Sequence, residues 1–295
     1  DAMDNAASMI VSGGTATVAE AADIQGVAGY DSGASSYTIT DTAGSVLADT
    51  DTVVNDGVSG VVVTDATGAG FVDAADGVSL TDLEGSLQVA TGDSAADINF
   101  RVEDSASAIA SELAGDNTAL DGANDLVVDG GDTDMVGAAN IQSSDAYDAA
   151  ASSYTISDTA GAVLGDTDTA IDAGVGAINV DGAVGAGVGV QLGALEDASF
   201  DTGFSADINF NVADDAGDIA TALAGDNTAL DNAEGLVVTS GDTDMVGAAN
   251  IQGVDGYDSG ASSYTISDTA GAVLGDTDTA IDAGVGAINV DGAVG

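Results

Sequence analysis

Histidine, lysine, cysteine, proline and tryptophan are all missing from this chain of 295 residues, and its only basic side chain is Arg101. Without histidine, lysine or cysteine there is no ordinary general base, no Schiff-base amine and no thiol nucleophile. Any chemistry would fall to carboxylates and hydroxyls, and most enzyme classes are excluded. A phosphate-cradling GxxxxGK[ST] loop has no lysine to complete it. The lack of cysteine removes a disulfide framework without naming a compartment. No run of about eighteen apolar residues exists, so no helix is expected to span or insert into a membrane. The chain opens on Asp1 with neither Met nor a basic leader, which reads as a processed or excerpted product.

What is abundant is acid. Aspartate and glutamate number 51, giving a net charge of -50. Such a surface repels nucleic acid and anionic lipid, and needs cations around it in its normal state. Disorder is the usual reading of so acidic a composition. Here 45% of the residues are hydrophobic, and the β-branched ones cluster in short runs such as Val61–Val63 and Ile178–Val180, so a folded chain is expected. Divalent ions or high salt that can screen these carboxylates are found outside cells, which points to an extracellular or cell-surface location.

Self-similarity decides the organisation. The passage Ala151–Gly185 returns without a change as Ala261–Gly295, 110 residues on, and GDTDMVGAANIQ from Gly131 returns from Gly241. A weaker likeness between the stretches opening at Tyr154 and Phe100 halves the unit. Units begin near Tyr37, Phe100, Tyr154, Phe210 and Tyr264, alternating a Tyr type with a Phe type. Each opens with apolar and polar residues in alternation, as in a half-buried strand, and an Asp follows: Asp41, Asp104, Asp158, Asp214 and Asp268. Asp before small helix formers reads as an N-cap. Ala106, Ile109, Ala110 and Leu113 form one helical face, with a second β-branched strand after an acidic turn.

The expected fold is α/β to mostly β: a tandem repeat of small strand-helix-strand units, stacked as a solenoid or a string of small domains, because one such unit cannot bury its own apolar face. The boundaries are 1–33, the end of an interrupted repeat plus connector; 34–95, a Tyr-type unit and linker; 96–150, a Phe-type unit and connector; 151–205, a Tyr-type unit and linker; 206–260, a Phe-type unit and connector; and 261–295, a truncated Tyr-type unit. The connectors are expected to add short strands and turns. With the repeat cut at both ends, either a longer protein has been excerpted or a neighbouring copy completes the subunit, and the expected partner is the chain itself in a head-to-tail or repeat-to-repeat polymer.

One acidic pattern recurs in the Tyr-type units: Asp166, Asp168 and Asp172; Asp276, Asp278 and Asp282; and Asp49, Asp51 and Asn55 in the first copy. Two carboxylates separated by one residue, with a third four residues on, can wrap a hard cation, and Ca2+ is the expected one. A solvated acidic turn is the alternative. The spacing is not that of an EF-hand, which would need a glutamate at its twelfth position and a central Gly. The connectors add Asp132 with Asp134 and Asp242 with Asp244, where the first copy has Thr15 and Thr17. A glycosidase-like acid pair would normally be unique, whereas these acids recur, so no catalytic residue is assigned and no enzyme is expected.

The motifs YTISDTAGAVL from Tyr154 and FRVEDSASAIASEL from Phe100 resemble the short repeats of giant acidic bacterial surface proteins, adhesin-like and S-layer-like. That resemblance implies a structural role at the cell surface, often beside calcium-binding repeats, and carries over no catalytic residue. The expected function is that of a structural protein forming a fibre, sheath or surface layer, and the alternative is the stalk of a large calcium-dependent adhesin.

Overall fold

The computed structural model describes residues 7–49, 54, 56–64, 70–91, 96–165, 174–200, 207–275 and 284–292. The chain is mixed α/β with parallel sheets, with no closed barrel among the described residues, and divides into two compact units, Asp1–Tyr154 and Thr155–Gly295.

In the first unit the order is β1 (Ser12–Ala16), α1 (Val18–Gln25), β2 (Ser36–Thr42), α2 (Ala43–Leu47), β3 (Val58–Thr64), β4 (Phe71–Val72), α3 (Ala74–Thr91), β5 (Asp97–Asn99), β6 (Arg101–Asp104), α4 (Ala106–Leu113), β7 (Leu126–Thr133) and α5 (Met135–Ser143). Strands β1, β2, β3 and β5 lie side by side in that order, as do β4, β6 and β7, and each of these pairs is parallel. Strand β8 (Ser153–Asp158) marks the division. The second unit continues with α6 (Ala160–Gly165), β9 (Val175–Val184), α7 (Ala186–Phe200), β10 (Asp207–Asp215), α8 (Ala216–Leu223), β11 (Gly235–Ser240), β12 (Asp242–Thr243), α9 (Met245–Gln252), β13 (Tyr264–Thr269), α10 (Ala270–Gly275) and β14 (Val285–Asp291). There β9, β10 and β11 run parallel in order, and so do β12, β13 and β14.

The strands alternate as the sequence predicts. Tyr37 and Ile39 in β2, and Ile208, Phe210 and Val212 in β10, point into the core at every second position while their neighbours stay half-buried or exposed. One covered face with period two differs from the near-continuous apolar runs of strands sandwiched between two helix layers. The helices cover that face with matching stripes: Ala106, Ile109, Ala110 and Leu113 of α4, and Ala216, Ile219 and Leu223 of α8. Fully buried Phe100, Leu80 and Leu120 centre the first core, and Phe210, Leu192 and Leu230 the second. Each such side chain is worth about 1.5–3 kcal/mol in transfer from water.

All five strands expected at Tyr37, Phe100, Tyr154, Phe210 and Tyr264 are present, Phe100 itself falling in a one-residue break between β5 and β6. One expectation is corrected: the connectors contain α1, α5 and α9 rather than only strands and turns, while α3 and α7, in the linkers, are the longest of the described helices. In the linker helices a Cβ at Gly77 or Gly189 would stand 2.7 or 2.8 Å from a methyl of Val102 or Val212, so the lack of a side chain lets a helix lie close on its strand.

Candidate functional site

The aspartates ending the unit-opening strands are the most regular feature of the acidic surface. Their expected role is corrected by one residue. The caps are Thr42, which accepts from the Ser45 amide; Asp215, which accepts from the amides of Gly217 and Asp218; Ser105, in cap conformation; and Thr159 and Thr269, which accept from Ala162 and Ala272.

The preceding aspartate does something else. One carboxylate oxygen accepts from the next residue's amide: Thr42 to Asp41 at 2.8 Å, Ser105 to Asp104 at 2.7 Å, Thr159 to Asp158 at 2.6 Å, Asp215 to Asp214 at 2.9 Å and Thr269 to Asp268 at 2.6 Å. The other oxygen reaches sideways to the first amide of the preceding helix: Val18 to Asp41 at 3.0 Å, Ala74 to Asp104 at 3.2 Å, Ala186 to Asp214 at 2.9 Å and Met245 to Asp268 at 3.1 Å. Each such carboxylate joins two consecutive strand ends and lies at the positive pole of a helix, which favours its charge. The amides of Met245 and Thr269 hold the Asp268 carboxyl below its ordinary value. At Asp41 burial pushes the other way, and the amides of Thr42 and Val18 outweigh it.

A second recurrent constellation was not anticipated. Gln25, Gln142 and Gln252 each donate a side-chain N–H to a tyrosine hydroxyl twelve residues later, Tyr37, Tyr154 and Tyr264, at 2.8, 2.9 and 2.8 Å. Tyr30, Tyr147 and Tyr257 lie against those hydroxyls. Gly57 and Gly284, both at φ +77°, leave room at the same place, where a Cβ would press on Ser35 or Ser262. Burial raises the phenols of Tyr37, Tyr147, Tyr154 and Tyr257, those of Tyr37 and Tyr257 to about 12, so these four hydroxyls stay protonated and act as hydrogen-bonding struts rather than as nucleophiles or metal-binding phenolates. The fixed spacing between Ile-Gln and the following Tyr-Thr-Ile was the available signal.

The expected cation residues divide into three groups. Asp51, Asn55, Asp166, Asp168, Asp172, Asp276, Asp278 and Asp282 lie outside the described residues. Asp49 accepts from the Val54 amide at 3.1 Å. Asp134 and Asp244 are the N-caps of α5 and α9, each accepting from a glycine amide, Gly137 or Gly247, at 2.7 Å, while Asp132 and Asp242 are exposed on β7 and β12. Among the described residues, the acids that converge as a trio are Asp214, Asp215 and Asp218, half-buried, half-buried and exposed. Both oxygens of Asp214 and one of Asp215 face backbone amides, which accounts for the cluster as helix-start chemistry. The charges of Asp215 and Asp214 push the Asp218 carboxyl up.

Elsewhere one difference between copies leaves an oxygen without a partner. Asp121 accepts from the Ser144 hydroxyl at 3.0 Å and the Asp145 amide at 3.2 Å. Its counterpart is Asp231, Val254 stands at the position that corresponds to Ser144, and the Oδ1 of Asp231 is buried without a hydrogen bond. Arg101, the only base, pairs with Asp125 at 2.6 Å and lies 4.0 Å over the Phe71 ring, so it is committed to local packing. The chain matches no family model, no curated protein and no solved structure. Among the described residues no helix is long and apolar enough to cross a membrane.

Proposed function

We propose that this chain is a structural building block of an extracellular fibre, sheath or surface layer, with acidic α/β units stacked in tandem as a solenoid and stabilised by calcium. The observation that carries the reading is the reuse of one set of internal bonds. The Gln–Tyr strut and the aspartate joining consecutive strand ends recur along the chain at corresponding positions. Carboxylates at strand ends accept backbone amides, a structural use of acid. An active site concentrates unusual environments in one place, whereas here each environment is shared among copies.

Calcium enters through the acids of the Tyr-type turns, whose spacing suits a hard oxygen-seeking ion, and through the net charge of -50 that remains once the one arginine is counted. Electron microscopy of the purified chain in millimolar calcium tests the assembly. Long regular polymers are expected. Isolated rods would favour the stalk of an adhesin, and compact single particles would count against both.

A further inference from the structure

Arg101 is the sole lysine or arginine of the whole sequence, including the segments outside the described residues. Endopeptidases of the trypsin class seat a lysine or arginine side chain in an acidic pocket and cut the bond that follows it. To such an enzyme this chain offers one bond, Arg101–Val102.

That bond lies inside β6. On one side the strand pairs with β4, Phe71 opposite Arg101, and on the other with β7, Leu126 opposite Val102. The amide of the bond, that of Val102, donates to the Asp125 carbonyl at 2.8 Å. Phe100 is 1% exposed and Val102 0%, so the segment cannot lift out without drawing both from the core. The arginine side chain is 45% exposed, within reach of an enzyme, yet it is not free to turn. Its Nε and Nη2 donate to Oδ2 of Asp125 at 3.0 and 2.6 Å, and its guanidinium carbon lies 4.0 Å from the centre of the Phe71 ring. In the second unit Asn211 takes the place of Arg101, and Ala183 and Gly235 stand where Phe71 and Asp125 do. Ring and carboxylate accompany the base and are absent where it is absent, so they belong to its restraint and not to the common framework of the repeat.

We propose that Arg101–Val102 is a guarded cleavage site, the single bond of this chain open to Arg- or Lys-specific endopeptidases and closed to them while the first unit is folded. An endopeptidase takes its substrate as an extended segment with free main-chain groups, a form that β6 reaches only by leaving β4 and β7. Hydrolysis adds water across the bond, the hydroxyl to the Arg101 carbonyl carbon and the hydrogen to the Val102 nitrogen, and yields residues 1–101 and 102–295. The cut parts Phe100 from Val102 within one strand of the first core. The folded chain thus resists a whole class of proteases, and a chain whose first unit has opened is marked by one cut. This holds whether or not the chain forms fibres.

The test digests the full chain with trypsin, natively and in urea, and identifies the fragments by mass. A single cut, to 1–101 and 102–295, is expected in urea. The native chain should be cut at least about a thousandfold more slowly, at a rate that rises with the unfolded fraction as urea is added. Arg101→Gln should be cut in neither state. The double variant Phe71→Ala with Asp125→Gly installs the residues of the second unit. Where circular dichroism shows it folded, it should be cut at the same bond at least about tenfold faster than the unchanged native chain; should it not fold, the urea series on the unchanged chain decides alone. Native cleavage within about tenfold of the unfolded rate would overturn the guard. Cuts in Arg101→Gln would overturn the single site, and equal native rates for the unchanged chain and a folded double variant would overturn the part assigned to the ring and the carboxylate.

Discussion

Asp121 and Asp231 occupy the same place in two copies of one segment, and the second has lost the hydroxyl that served the first. Asp121→Ala strips an acceptor from the Ser144 hydroxyl and from the exposed Asp145 amide and should cost about 0.5–1.5 kcal/mol, the net range for a hydrogen bond. Asp231→Ala removes an oxygen that nothing pairs with, so its cost should be smaller by about 1 kcal/mol. Urea unfolding followed by circular dichroism measures both, and equal losses would refute the account. Asp214→Ala is the companion case. It releases the Ala186 amide as well as the Asp215 amide, and a loss in the helix-cap range of about 0.5–2 kcal/mol is expected.

Pairs of helices pack closely because small residues face one another. In α9, a Cβ on Gly247 would stand 2.9 Å from the Ala220 methyl of α8 and press on Thr243; in α5, Gly137 meets Ala110 of α4 in the same way. Gly247→Ala would ordinarily stabilise a helix by about 1 kcal/mol. Here the close approach reverses the sign, and a lower melting temperature is expected, while the exposed Val246→Ala should shift it little. A rise with Gly247→Ala would show that the helices can separate without loss.

The same elements show what could be read from the chain. Alternation at Tyr37 and Phe210 and the four-residue face of α4 were legible because strand and short helix periods are local patterns. Helices α5 and α9 were hidden by Gly-Asp motifs that equally describe turns. The cap was placed one residue early at Asp41 and Asp268 because an Asp-Thr pair satisfies the capping rule at either residue. What decides is an amide 23 residues upstream, Val18 or Met245, and no local window contains it. The acidic pattern at Asp166, Asp168 and Asp172 was legible as spacing alone, since coordination depends on where carbonyls and water sit around it.

For the whole molecule, charge governs the response to solution conditions. Carboxyls held below their ordinary value of 3.8, Asp41 and Asp268 among them, contribute stability present above that value and lost as pH falls through their lower folded one. Glu84 and Glu196 are pushed above 4.5 by burial, so they favour the fold in acid and lose that contribution as pH rises through their folded value. Melting temperature should therefore hold or rise from pH 7 to about 5, as repulsion is relieved, and fall below about 4. Light scattering should climb near the isoelectric point of 4.1, where repulsion no longer keeps the chain apart. A steady fall in melting temperature from pH 7 downward would contradict the assignment. Calcium gives the complementary test. A site bound only in the folded state adds about 2.7 kcal/mol at a hundredfold excess over Kd, so melting in calcium should exceed melting in EDTA at matched ionic strength. Coincident midpoints would remove calcium from the proposal.

Within each unit most strands lie in the sheet beside the strand next to them in sequence, as in β1–β2–β3 and β12–β13–β14, while β3 pairs with β5 and β4 with β6 across one intervening strand. As the chain leaves a ribosome, most strands meet a partner that has already emerged. Because each parallel pair closes across an intervening segment, its contacts are non-local and slow to form, and emergence in strand order is the kinetic help that this topology offers.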